Sequence, residues 1–138
     1  MSEGLMPTSW RFIRREFSHL IEETREHRDS TQSEVKVDIV FRDMSKLKCK
    51  EYVKNGYISV FQYDLYDGYG NVIMKFHSEP HEYEASQTDT EPFHMHVKKD
   101  EKDYSASVRK ALPVSLRTVE GILILVENSA NLRYLYKK

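Results

Sequence analysis

Four of the six histidines, His77, His81, His94 and His96, fall within one twenty-residue stretch of the 138-residue sequence. Imidazole titrates near neutral pH, so such a cluster can move protons or, with its rings neutral, hold a metal ion. His94 and His96 stand two apart, which on a β-strand puts both on one face with Lys98 and leaves Phe93, Met95 and Val97 for the other. The same alternation sets Lys75 and His77 against Val72, Met74 and Phe76. If these two strands pair, the polar groups gather on a sheet surface turned away from the core. The plain alternative is a set of exposed histidines on a polar face; the extra histidines and Pro80 and Pro92 weigh toward a site.

With a metal, His94 and His96 would be ligands, joined by His77, His81 or a carboxylate, a donor set suited to zinc, iron or nickel. His94-x-His96 followed by Glu101 is similar to the first motif of the cupin family, but the flanking glycines are absent and no second motif follows. A metal-dependent enzyme acting on a small molecule is therefore one functional alternative, and a non-catalytic protein-binding module is another.

The elements that must position these residues read as α+β. Thr8 or Ser9 can cap a helix beginning at Trp10, where Trp10, Ile13, Phe17, Leu20, Ile21 and Thr24 form one apolar stripe. The charged residues Arg11, Arg14, Arg15, Glu22, Arg25 and Glu26 occupy its other face. Val35, Val37, Ile39 and Phe41 then alternate with polar residues, as do Leu47, Cys49, Glu51 and Val53 after a turn at Asp43 to Ser45. The second of these strands has an apolar face broken only by Glu51.

Asn55-Gly56 signals a hairpin into Tyr57 to Tyr66, and Asp67 to Asn71 signals the next return, into Val72 to His77. A loop over residues 78–92 and a short strand from Phe93 to Val97 follow. Lys98 to Ser107 reads as charged and irregular. Ser115 is expected to cap a last helix with Leu116, Val119, Ile122, Leu123 and Val126 on its apolar stripe, and Gly121 would weaken that helix while permitting close packing. Leu132 to Tyr136 fits helix and strand templates equally poorly. The expected architecture is an antiparallel β-meander of four to five strands flanked by an N-terminal and a C-terminal helix, in a single domain over residues 1–138.

With 39% hydrophobic and 31% charged residues the chain can fill one core, and 21 Lys plus Arg against 22 Asp plus Glu create no general attraction to nucleic acid or anionic lipid. Any such binding needs a local patch. Ile122 to Val126, the longest apolar run, is far too short to span a bilayer. One cysteine, Cys49, and an N-terminus without an apolar leader lead us to expect a cytoplasmic protein.

The segments Lys75-Phe76-His77-Ser78-Glu79-Pro80-His81 and Thr90-Glu91-Pro92-Phe93-His94-Met95-His96 resemble the TumE-like toxin family of prokaryotic toxin–antitoxin modules. The matching frame reaches back through the turn at Asp67 to Asn71 and the strand Tyr63 to Tyr66 to Glu51, where the family carries an acidic strand residue. Pro80, His81, Thr90, Pro92, His94 and His96 keep the pattern. Lys75 stands for the family's Arg, His77 for its Asp, Ser78 for its Asn and Glu82 for its second His.

This resemblance implies a toxin restrained by a cognate antitoxin protein, with RNA as the substrate class and no cofactor, a divalent metal at His94 and His96 remaining the alternative. In metal-independent RNA cleavage a base deprotonates the 2′-hydroxyl and an acid protonates the leaving oxygen, work that two imidazoles can share. His94 and His96 are the expected pair. Lys75 or Lys98 would stabilise the phosphorane, and His81 would carry a second proton or anchor the loop. Tyr83, with Tyr63, Tyr66 and Tyr69, is in sequence reach for base stacking, and Lys98 for a phosphate contact. The sequence leaves open whether the protein forms a homo-oligomer.

Overall fold

A computed structural model describes the backbone of residues 5–78, 93–100 and 103–136, and their side chains except at 94, 96–100, 103–110 and 130–136. Among the described residues the chain runs α1 (Trp10–Glu16), β1 (Ile21–Glu26), β2 (Glu34–Phe41), β3 (Lys46–Lys54), β4 (Tyr57–Tyr66), β5 (Val72–His77), β6 (His94–Asp100), β7 (Asp103–Ala111), a 3-10 turn (Val114–Leu116) and α2 (Val119–Tyr136). The strands form one antiparallel sheet in the order β1-β2-β3-β4-β5-β6-β7, an unbroken meander. The α+β class, the meander and the two flanking helices match expectation; the sheet continues beyond the expected four to five strands to seven.

The two added strands are the sheet's edges, where alternation is weakest. The helix expected past Thr24 ends at Glu16, with the Phe17 N–H donating to Ile13 O as its last bond. Leu20 and Ile21 then donate their N–H groups to Phe17 O at 2.9 and 3.1 Å, and the chain turns into β1, which pairs with β2. Leu20 and Ile21 reach the core from this turn and strand, so their helical spacing from Phe17 is coincidental. Ser9 caps α1, its Oγ accepting from Phe12 N. At the other edge, the segment read as irregular is the end of β6 and most of β7.

The turns follow their residues closely. Asn55 and Gly56 have φ of 54° and 80°, the left-handed pair that a two-residue hairpin needs. At the next return, Asp67 Oδ1 accepts from the N–H groups of Tyr69 and Asn71, both at 2.9 Å.

Both helices lie on one side of the sheet. Ile13 of α1 and its C-cap Phe17, and Val119, Ile122 and Leu123 of α2, share a core with Ile39, Phe41, Leu47, Cys49, Phe61, Tyr63, Leu65 and Phe76. α2 is capped by Thr118, whose Oγ1 accepts from Gly121 N at 3.1 Å, whereas Ser115, the expected cap, lies in the preceding 3-10 turn. That turn packs so tightly that a Cβ on Gly121 would lie 1.6 Å from Ser115 O. Leu132 to Tyr136 belong to α2. Among the described residues, no helix is long and apolar enough to cross a membrane.

Candidate functional site

The strand residues alternate between the helix-covered face and a second face with no helix on it among the described residues. Directly opposed residues of antiparallel neighbours share a face. His77 lies opposite His94, and Lys75 opposite His96, so the two histidine-bearing segments meet in register on β5 and β6. The row through Lys75 and His96 runs across the sheet as Arg25, Asp38, Lys48, Asp64, Lys75, His96 and Arg109. The adjoining row runs Lys36, Lys50, Gln62, His77, His94 and Ala111.

His77 is partly buried, and its Nε2 lies 2.9 Å from Asp64 Oδ1 on β4. This contact sets the direction of the ring and favours a proton on Nε2. Ser78, next in the chain, donates its N–H to Phe61 O at 3.1 Å and accepts from Phe61 N through Oγ at 2.7 Å. The end of β5 is thus tied to β4 beside His77. The start of β6 is anchored by Phe93, whose ring lies 6.2 Å from that of Phe61 and beneath the Arg117 guanidinium, 4.1 Å from the ring centroid. Arg117 in turn donates to Leu112 O at 3.1 and 3.2 Å.

Of the residues singled out from the sequence, Lys75, His77, His94, His96 and Lys98 lie on β5 and β6, with Lys98 opposite Ser107 of β7. His81 and Tyr83 lie outside the described residues, and the side chains of His94, His96 and Lys98 are not among those described. The metal alternative rests on those same histidines; among the described residues no three His, Cys, Asp or Glu side chains gather as metal ligands.

Glu51 lies on the opposite, helix-covered face and is only 1% exposed. Its carboxylate accepts from Thr8 N at 3.1 Å, from the Thr8 hydroxyl, and from Tyr63 OH at 2.6 Å. Burial, followed by the adjacent Glu51 charge, pushes the Tyr63 phenol well above its ordinary range. Burial likewise raises the Cys49 thiol, with Glu51, Asp38 and Asp64 adding to the effect.

Asp64 and Arg109 are members of the histidine rows that sequence reasoning passed over. Asp64 was accessible from pattern, since Gln62, Asp64 and Tyr66 alternate with the core residues Phe61, Tyr63 and Leu65 in a strand already expected to adjoin His77. Arg109 was not, because it sits on the edge strand β7, past the segment Lys98 to Ser107 read as irregular, where no strand was expected.

The fold and its bare face define the class: a helix-backed antiparallel meander in which His77, His94 and His96 lie on β5 and β6. Residues 11–123 match the family model described as toxin TumE, a span that includes Glu51, Lys75, His77, His94 and His96. The chain belongs to the TumE toxin family. No curated protein and no solved structure matches it.

Proposed function

We propose that this toxin is a metal-independent ribonuclease of a type II toxin–antitoxin module, held inactive by a cognate antitoxin protein. The observation that carries this reading is the strand register, which sets His77 opposite His94 and Lys75 opposite His96 on the face without helices. His94 and His96 divide the roles of base toward the 2′-hydroxyl and acid toward the leaving oxygen. Lys75, opposite His96, stabilises the charge that develops on the phosphorane. Asp64 orients His77 beside this pair. His81 serves as a further proton carrier, and Tyr83 and Lys98 contact the RNA.

The test is to incubate the purified protein and its His94→Ala and His96→Ala variants with cellular RNA, with and without a chelator. Cleavage that survives chelation and falls about 100- to 10,000-fold in each variant supports this assignment. Chelator-sensitive cleavage replaces it with a metal-dependent enzyme. If the wild type leaves RNA intact, a protein-binding role takes its place.

A further inference from the structure

On β3 the bare face is built almost wholly from cations and aromatic rings. Lys46, Lys48 and Lys50 alternate with the buried Leu47, Cys49 and Glu51, so three ammonium groups stand in file along one strand at a step of about 6.7 Å. The row through Lys48 also contains Asp38 and Asp64, which would ordinarily neutralise it. Both carboxylates face histidines: Asp38 lies 3.0 Å from His27 Nε2, and Asp64 lies 2.9 Å from His77. Among the described residues Lys46, Lys48, Lys50 and Lys75 make no ion pair. In a chain of net charge −1, four lysines thus stand on this one face without ion pairs among the described residues, the two carboxylates beside them being directed to histidines.

Two of these lysines rest on tyrosine rings of the same face. Lys48 Nζ is 5.0 Å from the centroid of Tyr66, and Lys50 Nζ is 5.5 Å from that of Tyr52. At such partly exposed sites a cation–π contact is weak, so an incoming phosphate can draw the ammonium away and leave the ring to a base. At its Lys46 end the file opens into a cavity of about 370 Å³ lined by Arg25, Lys46, Lys48 and Tyr66 and by Asp67, whose carboxylate accepts from the N–H groups of Tyr69 and Asn71. Two lysines without ion pairs, Arg25 in its pair with Glu23, and one aromatic ring around a volume of that size suit the phosphate and base of one nucleotide.

We propose that the β3 lysine file and Tyr66 form the track for single-stranded RNA outside the cleavage site. The track rests on the ribonuclease reading above and assigns it a substrate form: an unpaired strand, because bases must be splayed to stack on side chains. From β3 to β6 is three strand spacings, about 14 Å. A splayed strand advances farther per nucleotide than the 3.4 Å of a stacked one, so this is at most about four nucleotides. The nucleotide in the Arg25, Lys46, Lys48 and Tyr66 cavity lies about that far along the strand from the scissile bond.

The test uses a fluorescent, 2′-O-methylated RNA dodecamer, which lacks the reacting hydroxyl, and reads anisotropy across a salt series. A Lys46→Ala, Lys48→Ala, Lys50→Ala triple variant is expected to bind at least tenfold more weakly. Its log–log salt slope should be shallower by about 2, as for three lost contacts on a single strand. Tyr66→Leu is expected to weaken binding about tenfold with the slope unchanged. Arg15→Ala, on the helix side, is the control for net charge, and circular dichroism checks that each variant is folded. Wild-type cleavage of cellular RNA combined with unchanged binding by the triple variant overturns the track and leaves the ribonuclease standing. Wild type that neither binds nor cleaves RNA removes both. Tighter binding of polyglutamate than of RNA, lost in the triple variant, reassigns the file to an acidic protein partner and overturns the track.

Discussion

His77 Nε2 lies 2.9 Å from the Asp64 carboxylate, which joins β5 to β4 in the rows that lead to His94 and His96. Asp64 sits opposite Lys75 in the sheet, yet its contact is with the histidine one step along the strand. Lys75 thereby makes no ion pair among the described residues, while His77 is held in one orientation. Asp64→Asn keeps the shape of the side chain but removes the charge that favours the protonated Nε2. Cleavage of RNA by this variant is expected to fall about tenfold, or about 1.4 kcal/mol in the barrier, with an unchanged melting temperature. Equal activity in the variant would show that the Asp64–His77 contact is only structural.

The buried carboxylate of Glu51 binds the N-terminal segment to the sheet through Thr8, and Leu5 O extends that attachment by accepting from Ile58 N at 2.8 Å. Removing one partner strands the others in a dry environment, whereas removing both sides of a contact is cheaper. Tyr63→Phe alone is expected to cost about 1–2 kcal/mol and Glu51→Leu alone about 3–5 kcal/mol in urea unfolding. The double variant should cost less than their sum by at least about 0.5 kcal/mol. Strict additivity would mean that the two side chains do not share a hydrogen bond in solution.

Most of the meander was legible because its middle strands are half buried: Val37, Ile39 and Phe41 face the core while Lys36, Asp38 and Val40 do not. Asn55-Gly56 and Asp67 to Asn71 then locate two returns by backbone chemistry alone. β1 was hidden because Ile21 is its one buried residue and falls on the helical stripe of α1. β7 was hidden by its charged composition. The register that sets Lys75 opposite His96 and His77 opposite His94 was legible from strand alternation. The contacts of Asp38 with His27 and of Asp64 with His77 were not, since they run diagonally between strands.

Cys49 and Tyr63 give the protein a predictable response to alkali. Both carry charge only when deprotonated, and burial raises both above their ordinary values of 9.0 and 10.0. The unfolded chain therefore releases these protons first. The stability they contribute is complete below pH 9 and declines as pH rises through the ordinary values toward the raised folded ones. The melting temperature should be level from about pH 7 to 8.5 and fall steadily above about pH 9. In Cys49→Val the decline should begin about one unit later, because the remaining contribution belongs to the phenol. A melting temperature that is flat to pH 11 in the wild type would contradict the burial of both groups.

Gly121 poses a test in which two effects of opposite sign compete. Alanine in a helix is favoured over glycine by about 1 kcal/mol, so propensity alone predicts that Gly121→Ala stabilises α2. The added Cβ, however, would stand 1.6 Å from Ser115 O and 2.9 Å from Ser115 C, both backbone atoms of the 3-10 turn. Backbone cannot swing aside as a side chain would, and displacing the turn also disturbs the Thr118 cap and the Val119, Ile122 and Leu123 contacts beyond it. Overpacking of this kind costs about 1–3 kcal/mol, and the disturbed cap adds about 1 kcal/mol. The steric loss wins: Gly121→Ala is expected to lower unfolding stability by about 1–3 kcal/mol in a denaturant titration. Gly121→Ser should lose at least as much, since serine has the same Cβ and lower helix propensity. Stabilisation by either substitution would place the 3-10 turn farther from α2 than described here.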